Sequence, residues 1–96
     1  MSIHNETTIK EAIENLLKVY KLSDKLSERK LIASWENVMG AMISKHTKEL
    51  VIRNKQLIVT LDSAALRNEL SLAKTKIVEM LNREAGKEVI KEVILR

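Results

Sequence analysis

The chain has 96 residues, enough for one domain and too few for two. It carries 17 lysines and arginines against 13 aspartates and glutamates, a formal net charge of +4, and no cysteine. The lack of cysteine excludes disulfides and thiolate metal sites, and no apolar run approaches the ~18 residues that a membrane helix needs. Because the first residues also lack a basic segment followed by an apolar run, no signal peptide is expected. The sequence therefore predicts a cytoplasmic protein.

The positive charge permits an anionic partner, but it is spread along the chain. No run of five or more basic residues occurs, although such runs are typical of nucleic-acid-binding arms. Any binding to nucleic acid should therefore be weak, sensitive to salt and without base specificity.

Two helices are predicted before the first strand, after a frayed N-terminus over residues 1–7. Thr8 and Glu11 have the capping-box spacing, and the first helix then places apolar residues at Ile9, Ala12, Ile13, Leu16, Leu17 and Tyr20. Ser23 or Asp24 is expected to cap the second helix, whose stripe is Leu31, Trp35, Val38, Met39 and Met42. Gly40 interrupts this stripe, so either the helix breaks there or another element packs closely against it.

The segment LVIRNKQLIVTL predicts a β-hairpin with Asn54 and Lys55 in a two-residue turn. That turn would pair Arg53 with Gln56 and Ile52 with Leu57. The core face would then carry Leu50, Ile52, Leu57, Val59 and Leu61.

A third, long helix is predicted from a cap at Asp62 or Ser63 to a stop at Gly86, followed by a strand in EVIKEVILR. This strand must cross back to the sheet and can pair parallel to a hairpin strand. The predicted fold is α+β in two layers, with three helices packed on one face of a three-stranded sheet. Its order α-α-β-β-α-β is broadly KH-like, and residues 1–96 form a single domain.

No pattern in the sequence indicates catalysis, a cofactor or a metal. Trp35 is interpreted as a core residue, and His46 as a structural residue at the entry to the first strand. The glycines at 40 and 86 cannot form the G-x-x-G loop of nucleic-acid-binding KH domains or a phosphate-binding loop. We therefore expect a protein that is not an enzyme.

Basic residues distributed over the surface are the candidate nucleic-acid contacts. They are Arg53, Lys55, Arg67, Lys74, Arg83, Lys87, Lys91 and Arg96. Long cations can follow a phosphate backbone without reading its sequence. The alternative is that they are ordinary solvated charges, balanced by nearby glutamates.

The second candidate surface is the sheet face bearing Val51, Ile58 and Thr60. If the helices cover the other face, these groups are exposed and could receive a protein partner. The alternative is that the final strand or the N-terminal helix covers them.

Several stretches together resemble the DciA family of small bacterial proteins associated with the replicative helicase. They are Trp35 with Val38 and Gly40, His46-Thr47, the strand LIVTL, the segment from Ser63 to Leu70, and Leu81-Asn82 with Gly86. The resemblance covers residues 8–96 and implies a KH-like domain, a replicative-helicase partner and affinity for single- or double-stranded DNA. This sequence departs from the family's pattern at Ala64-Ala65, where many members have an aromatic residue near the start of the third helix. Many members also carry a flexible, often basic extension beside the domain, and none is expected from the sequence that ends at Arg96.

Three functional hypotheses follow. The first is a non-enzymatic accessory protein of DNA replication that binds the replicative helicase and, weakly, DNA. The second is a general nucleic-acid-binding module, including RNA binding, and the third is a protein-interaction domain whose charge is incidental.

Overall fold

The computed structural model describes residues 6–96. Its elements in chain order are α1 (Glu6–Ala33), α2 (Trp35–Met39), α3 (Ala41–Lys45), β1 (Thr47–Arg53), β2 (Gln56–Leu61), α4 (Ala64–Ser71), α5 (Lys74–Ala85) and β3 (Glu92–Leu95). The predicted α+β fold and its order of helices and strands are confirmed. The expected fraying of residues 1–7 concerns mainly residues outside the described range.

The first helix is longer than predicted, because α1 continues through Ser23 and Asp24 to Ala33. The expected cap at these two residues is therefore wrong. Serine and aspartate are weak helix formers but not helix breakers. Leu16, Tyr20 and Leu31 lie on one side of the same helix, so the apolar residues before and after the serines stay in phase and nothing forces a new start.

Gly40 ends one short helix and begins the next. Its φ of 93° and ψ of 162° lie in a region open almost only to glycine, and no other group lies within 4 Å of where a Cβ would be. The helix breaks here because Gly40 has a backbone conformation that is not helical, and not because a neighbour packs closely. The break lets Trp35 enter the core while α3 leads into β1.

The sheet contains the predicted hairpin. β1 pairs antiparallel with β2 in the expected register, Arg53 with Gln56 and Ile52 with Leu57, and both turn residues have positive φ, 49° at Asn54 and 61° at Lys55. β3 pairs parallel with the other edge of β2, so the strand order is β1-β2-β3. The central strand β2 alternates buried and half-buried residues.

The predicted third helix is two helices, α4 and α5, separated by Leu72 and Ala73. Ala73 has φ −125° and ψ 20°, outside the helical region, and Leu72 is 89% exposed. No glycine or proline marks this break. Leu70 of α4 and Ile77 of α5, on either side of the break, both belong to the same core.

One hydrophobic core lies between the helices and the sheet. Its fully buried side chains are Leu31, Leu57, Ile77, Leu81, Ile90, Val59 and Val93. Trp35 closes this core with 2% of its surface exposed, as predicted, and Nε1 donates a hydrogen bond to Oγ1 of Thr47 at 3.0 Å. Among the described residues, no buried side-chain nitrogen or oxygen lacks a hydrogen-bond partner.

The N-terminal part of α1 leaves the body of the domain. Residues 8–26 are all exposed, and the molecule measures 66 × 21 × 20 Å because this helix extends from one end. The expectation that the first helix covers the sheet is therefore not met by this segment. Only its C-terminal turns, around Leu31, join the core.

Candidate nucleic-acid interface

The hairpin turn brings cations from distant parts of the sequence together. The backbone N–H of Lys91 donates to the carbonyl of Lys55 at 2.7 Å, which fixes the segment before β3 beside the turn. Lys55 and Lys91 are therefore neighbours, and Arg53 is exposed at the end of β1 next to them. The parallel pairing of β3 with β2 produces this proximity.

The segment 86–91 is held by Asn82 of α5. The Asn82 Oδ1 accepts hydrogen bonds from the backbone N–H groups of Val89 at 2.9 Å and Ile90 at 3.1 Å, and its Nδ2 donates to the Ile90 carbonyl at 2.8 Å. Gly86, in the left-handed conformation with φ 84°, ends α5 as predicted. Together they direct the chain back toward β2 and place Lys87 and Lys91 at the surface.

Two cations of α5 complete the group. Lys74 lines the same pocket as Lys91, and Arg83 lines the same pocket as Lys87. We call the surface formed by Arg53, Lys55, Lys74, Arg83, Lys87 and Lys91 the tip surface. All six residues are exposed.

Acidic residues partly offset this charge. Lys87 Nζ lies 2.8 Å from Oδ1 of Asp24, an ion pair that ties α1 to the segment after α5. This hydrogen bond, with the charge of Lys87, lowers the pKa of Asp24. Glutamates at 28, 79, 88 and 92 also line pockets of this region. The tip surface is thus a mixed surface and not a purely cationic one.

The other two candidate cations lie elsewhere. Nη1 of Arg67 donates to the carbonyl of Leu61 at 2.9 Å, and the backbone of Arg96 bonds to Val59 and Leu61. Leu61 is at the end of β2 opposite the turn, so Arg67 and Arg96 are separated from the tip surface by the length of that strand. The eight residues do not form one continuous patch.

The sheet face away from the core has a row of apolar side chains across its three strands. Val51 pairs with Ile58, and Ile58 pairs with Ile94. All three, and Thr60 beside them, are half-buried, and none packs against the core. A polar row borders them, in which Nε2 of Gln56 donates to Oε2 of Glu92 at 2.9 Å. Ile94 was not among the predicted residues, because the face of the last strand could not be decided from its charges.

His46 has a structural environment, as interpreted from the sequence. Its Nδ1 lies 2.7 Å from Oδ1 of Asp62, whose other oxygen lies 3.2 Å from Nζ of Lys48. The backbone N–H of Asp62 also bonds to the carbonyl of His46 at 3.0 Å. These contacts join the start of β1 to the end of β2, and hydrogen bonds from His46 and Lys48 lower the pKa of Asp62.

This lowered pKa predicts an acid-dependent contribution to stability. The folded state keeps Asp62 ionised at lower pH than the unfolded chain, so the contribution is present above the ordinary pKa of 3.8 and is lost as the pH falls below it. We expect Asp62→Asn to lower the free energy of unfolding at pH 7, with the difference from the wild type shrinking toward pH 2.5. Urea titrations followed by Trp35 fluorescence measure this. A difference that stays constant down to pH 2.5 would contradict the prediction.

The described residues offer neither a metal cluster nor a membrane helix. Within residues 6–96, no three side chains of histidine, aspartate or glutamate come together as metal ligands. No helix in this range is both long and apolar enough to cross a membrane.

Comparison with known proteins identifies the family. The family described as Dna[CI] antecedent, DciA matches residues 8–95, nearly the whole chain. The chain belongs to the DciA family. DciA proteins are a replication-associated accessory family and not a known class of enzyme.

A curated relative is consistent with this assignment. A "UPF0232 protein" of Corynebacterium glutamicum (strain R) is 31% identical over 61 residues, which are 64% of this chain and 34% of the relative. The chain therefore spans about a third of the length of this relative. No solved structure matches the chain.

Proposed function

We propose that this DciA-family chain is a non-enzymatic accessory protein of DNA replication that binds the replicative helicase and holds DNA weakly. The observation that carries the proposal is the family match over residues 8–95. Such a role would place the protein in the cytoplasm, with no cofactor or metal required.

The surface proposed for the helicase is the apolar row Val51, Ile58 and Ile94, with Thr60 beside it. Half-buried β-branched residues next to charged neighbours resemble the apolar centre and polar rim of protein interfaces. This surface lies on the sheet, so its shape is fixed by strand pairing before any partner arrives. A partner can therefore bind it without first ordering a flexible segment.

The surface proposed for DNA is the tip surface. Its cations come from the turn, the segment 86–91 and α5, and all six are long side chains that are exposed to solvent. Contacts of this kind bind phosphates without sequence preference and weaken as salt is added. The neighbouring glutamates keep the expected affinity low.

Helicase binding is tested by light scattering on a size-exclusion column. The protein is mixed with the replicative helicase of its own organism at tens of micromolar, and a shared peak with a defined mass ratio is expected. The matched variant is Val51→Thr with Ile94→Thr, which keeps β-branched side chains in the strands but removes apolar surface. We expect this variant to elute largely apart from the helicase. Separate peaks for the wild-type protein would refute helicase binding.

DNA binding is tested with labelled single- and double-stranded oligonucleotides of mixed sequence at two salt concentrations. Arg53→Glu with Lys55→Glu should weaken binding about ten-fold or more. The slope of log affinity against log salt should also fall by roughly one for each phosphate that the variant no longer touches. Unchanged affinity would exclude the turn from the DNA surface.

Two controls separate charge from folding. Lys18→Glu with Lys45→Glu makes the same change of net charge at two exposed lysines that do not belong to the tip surface, and it should leave binding nearly unchanged. Lys55→Gly removes one cation at a residue with φ 61°, where glycine is the more relaxed choice. It should weaken binding while the domain becomes no less stable. If RNA of the same sequence binds much more tightly than DNA, the general nucleic-acid module is the better description.

A further inference from the structure

The exposed part of α1 carries an apolar stripe that no described segment of the chain covers. Ile9, Ile13, Leu16 and Tyr20 recur at intervals of four, three and four residues, and Leu17 and Val19 widen the stripe. Each of these side chains is between 50% and 62% exposed. Surface apolar residues are common singly, but a continuous stripe of this length marks an interaction site.

The stripe continues the face by which α1 enters the core. The same series passes through Ser23 and Ser27 and leads to Leu31, which is fully buried. The exposed apolar stripe therefore ends where the body of the domain begins. A partner that covers the stripe must lie along the projecting helix and not in a pocket of the body.

The charges along one edge of the stripe point to the partner. From the N-terminal end they are Lys10, Glu14, Lys21 and Asp24. Reversing the direction of the helix places Lys10 opposite Asp24 and Glu14 opposite Lys21, so the edge is complementary to itself only in antiparallel orientation. Asp24 accepts a hydrogen bond from Lys87 of its own chain at 2.8 Å and has a second oxygen for another cation.

We propose that α1 is a self-association element that pairs antiparallel with α1 of a second copy of this chain. The two charge pairs centre the twofold axis near Leu17, where the two copies of this residue meet, and Leu16 packs beside Tyr20 of the second copy. A twofold dimer buries the same patch on both chains, as such a self-complementary edge requires. This inference goes beyond helicase or DNA binding and does not depend on either.

The size of the overlap fits a specific dimer. Pairing residues 9–25 extends over about 25 Å, and it stops before Leu31, where the body surrounds the helix. The half-exposed apolar side chains along this length present an exposed area on the order of 800 Å². Each partner buries an area of that size in a standard interface. Pairing would bury the apolar faces of two projecting helices, each of which stays exposed to water in a single chain.

Sedimentation equilibrium over a concentration series tests the association. The wild-type chain of 11.0 kDa should reach twice that mass as concentration rises. Leu16→Glu should raise the dissociation constant at least ten-fold, because it places a charge in the centre of the paired stripes. Lys18→Glu, on the polar side of the same turn, should leave the constant nearly unchanged. A wild-type protein that stays monomeric to several hundred micromolar overturns the proposal, as does a dimer insensitive to Leu16→Glu.

Cysteine crosslinking tests the orientation, since the chain has no cysteine of its own. Leu17→Cys should form an intermolecular disulfide on mild oxidation, whereas Glu11→Cys, on the far side of the helix, should not. A mixture of Lys10→Cys and Asp24→Cys should crosslink to each other more readily than either does to itself. Failure of Leu17→Cys to crosslink in a dimeric sample rules out the antiparallel arrangement. A monomer whose Leu16→Glu variant loses helicase binding instead would assign the stripe to that partner and overturn self-association.

Discussion

Trp35→Ala should lower the free energy of unfolding by about 3–5 kcal/mol, the cost of removing a large buried aromatic. Trp35 is 2% exposed and belongs to the hydrophobic core, so alanine would leave a cavity that the surrounding side chains fill only in part. The loss is a large share of the roughly 5–15 kcal/mol that stabilises a typical domain. Urea denaturation followed by circular dichroism measures it, since the variant has no tryptophan fluorescence.

Two milder variants divide this loss into packing and hydrogen bonding. Trp35→Phe keeps most of the ring volume but removes the Nε1 donor to Thr47, and it should cost about 1–2 kcal/mol. Thr47→Val removes the acceptor and also the hydrogen bond from Oγ1 to the Ile43 carbonyl at 2.7 Å. If Trp35→Ala lowers the free energy of unfolding by less than the roughly 1–2 kcal/mol expected for Trp35→Phe, the ring is not central to the core.

Asn82→Ala should cost about 2–4 kcal/mol, although the residue is a half-buried polar one. Its side chain makes three hydrogen bonds to the backbone of Val89 and Ile90, residues that are themselves buried. Alanine would leave two N–H groups and a carbonyl unpaired where water has little access. Urea denaturation gives the free energy, and amide hydrogen exchange at residues 87–91 should rise more than elsewhere.

Asn82→Asp and Asn68→Ala are the matched comparisons. Aspartate keeps an acceptor for the two N–H groups but removes the donor to the Ile90 carbonyl, so a smaller loss of stability is expected. Asn68 is an exposed asparagine of α4 whose side chain makes no hydrogen bond with any residue in the described range, and its backbone carbonyl accepts one from Ser71 Oγ that alanine would keep. Asn68→Ala should therefore change stability by less than about 0.5 kcal/mol. Equal losses in Asn82→Ala and Asn68→Ala would show that the three bonds contribute nothing.

The hairpin was the part of the fold most completely predicted from sequence. Alternating apolar residues around Asn54 and Lys55 determine the turn, the register and the buried face together, because a shift of one residue would expose the core face. The end of α5 at Gly86 was also predicted, whereas Gly40 was left open between a helix break and a close packing contact until its φ of 93° showed the break. Local chemistry decides all of these features.

The helix boundaries depended on packing and were predicted less well. Ser23 and Asp24 look like a helix cap, but they continue α1 because the helix face stays in phase around them. The break at Leu72 and Ala73 has no local signal and serves to direct Leu70 and Ile77 into one core. Tertiary contacts override local preference at both places.

The candidate sites were predicted in composition but not in arrangement. The sequence identified eight cations but not their positions relative to one another. The parallel pairing of β3 brings Lys91 beside Lys55, whereas Arg67 and Arg96 lie at the other end of β2. The role of Asn82 was not predicted, because an asparagine near a helix end has many ordinary uses. Its three partners lie seven and eight residues further along, in a segment with no regular structure.

The order in which the sheet can form follows from its mixed pairing. β1 and β2 are joined by a two-residue turn, so the hairpin can form from local contacts in about 1–10 μs. β3 joins β2 only after segment 62–91 has folded back. Closing that segment lowers the entropy of the chain before the contacts of β3 with β2 form. Substitutions in the hairpin should therefore slow folding, whereas those in β3 should mainly speed unfolding. Until β3 arrives, the second edge of β2 stays open, and this is when the chain is most exposed to pairing with another strand.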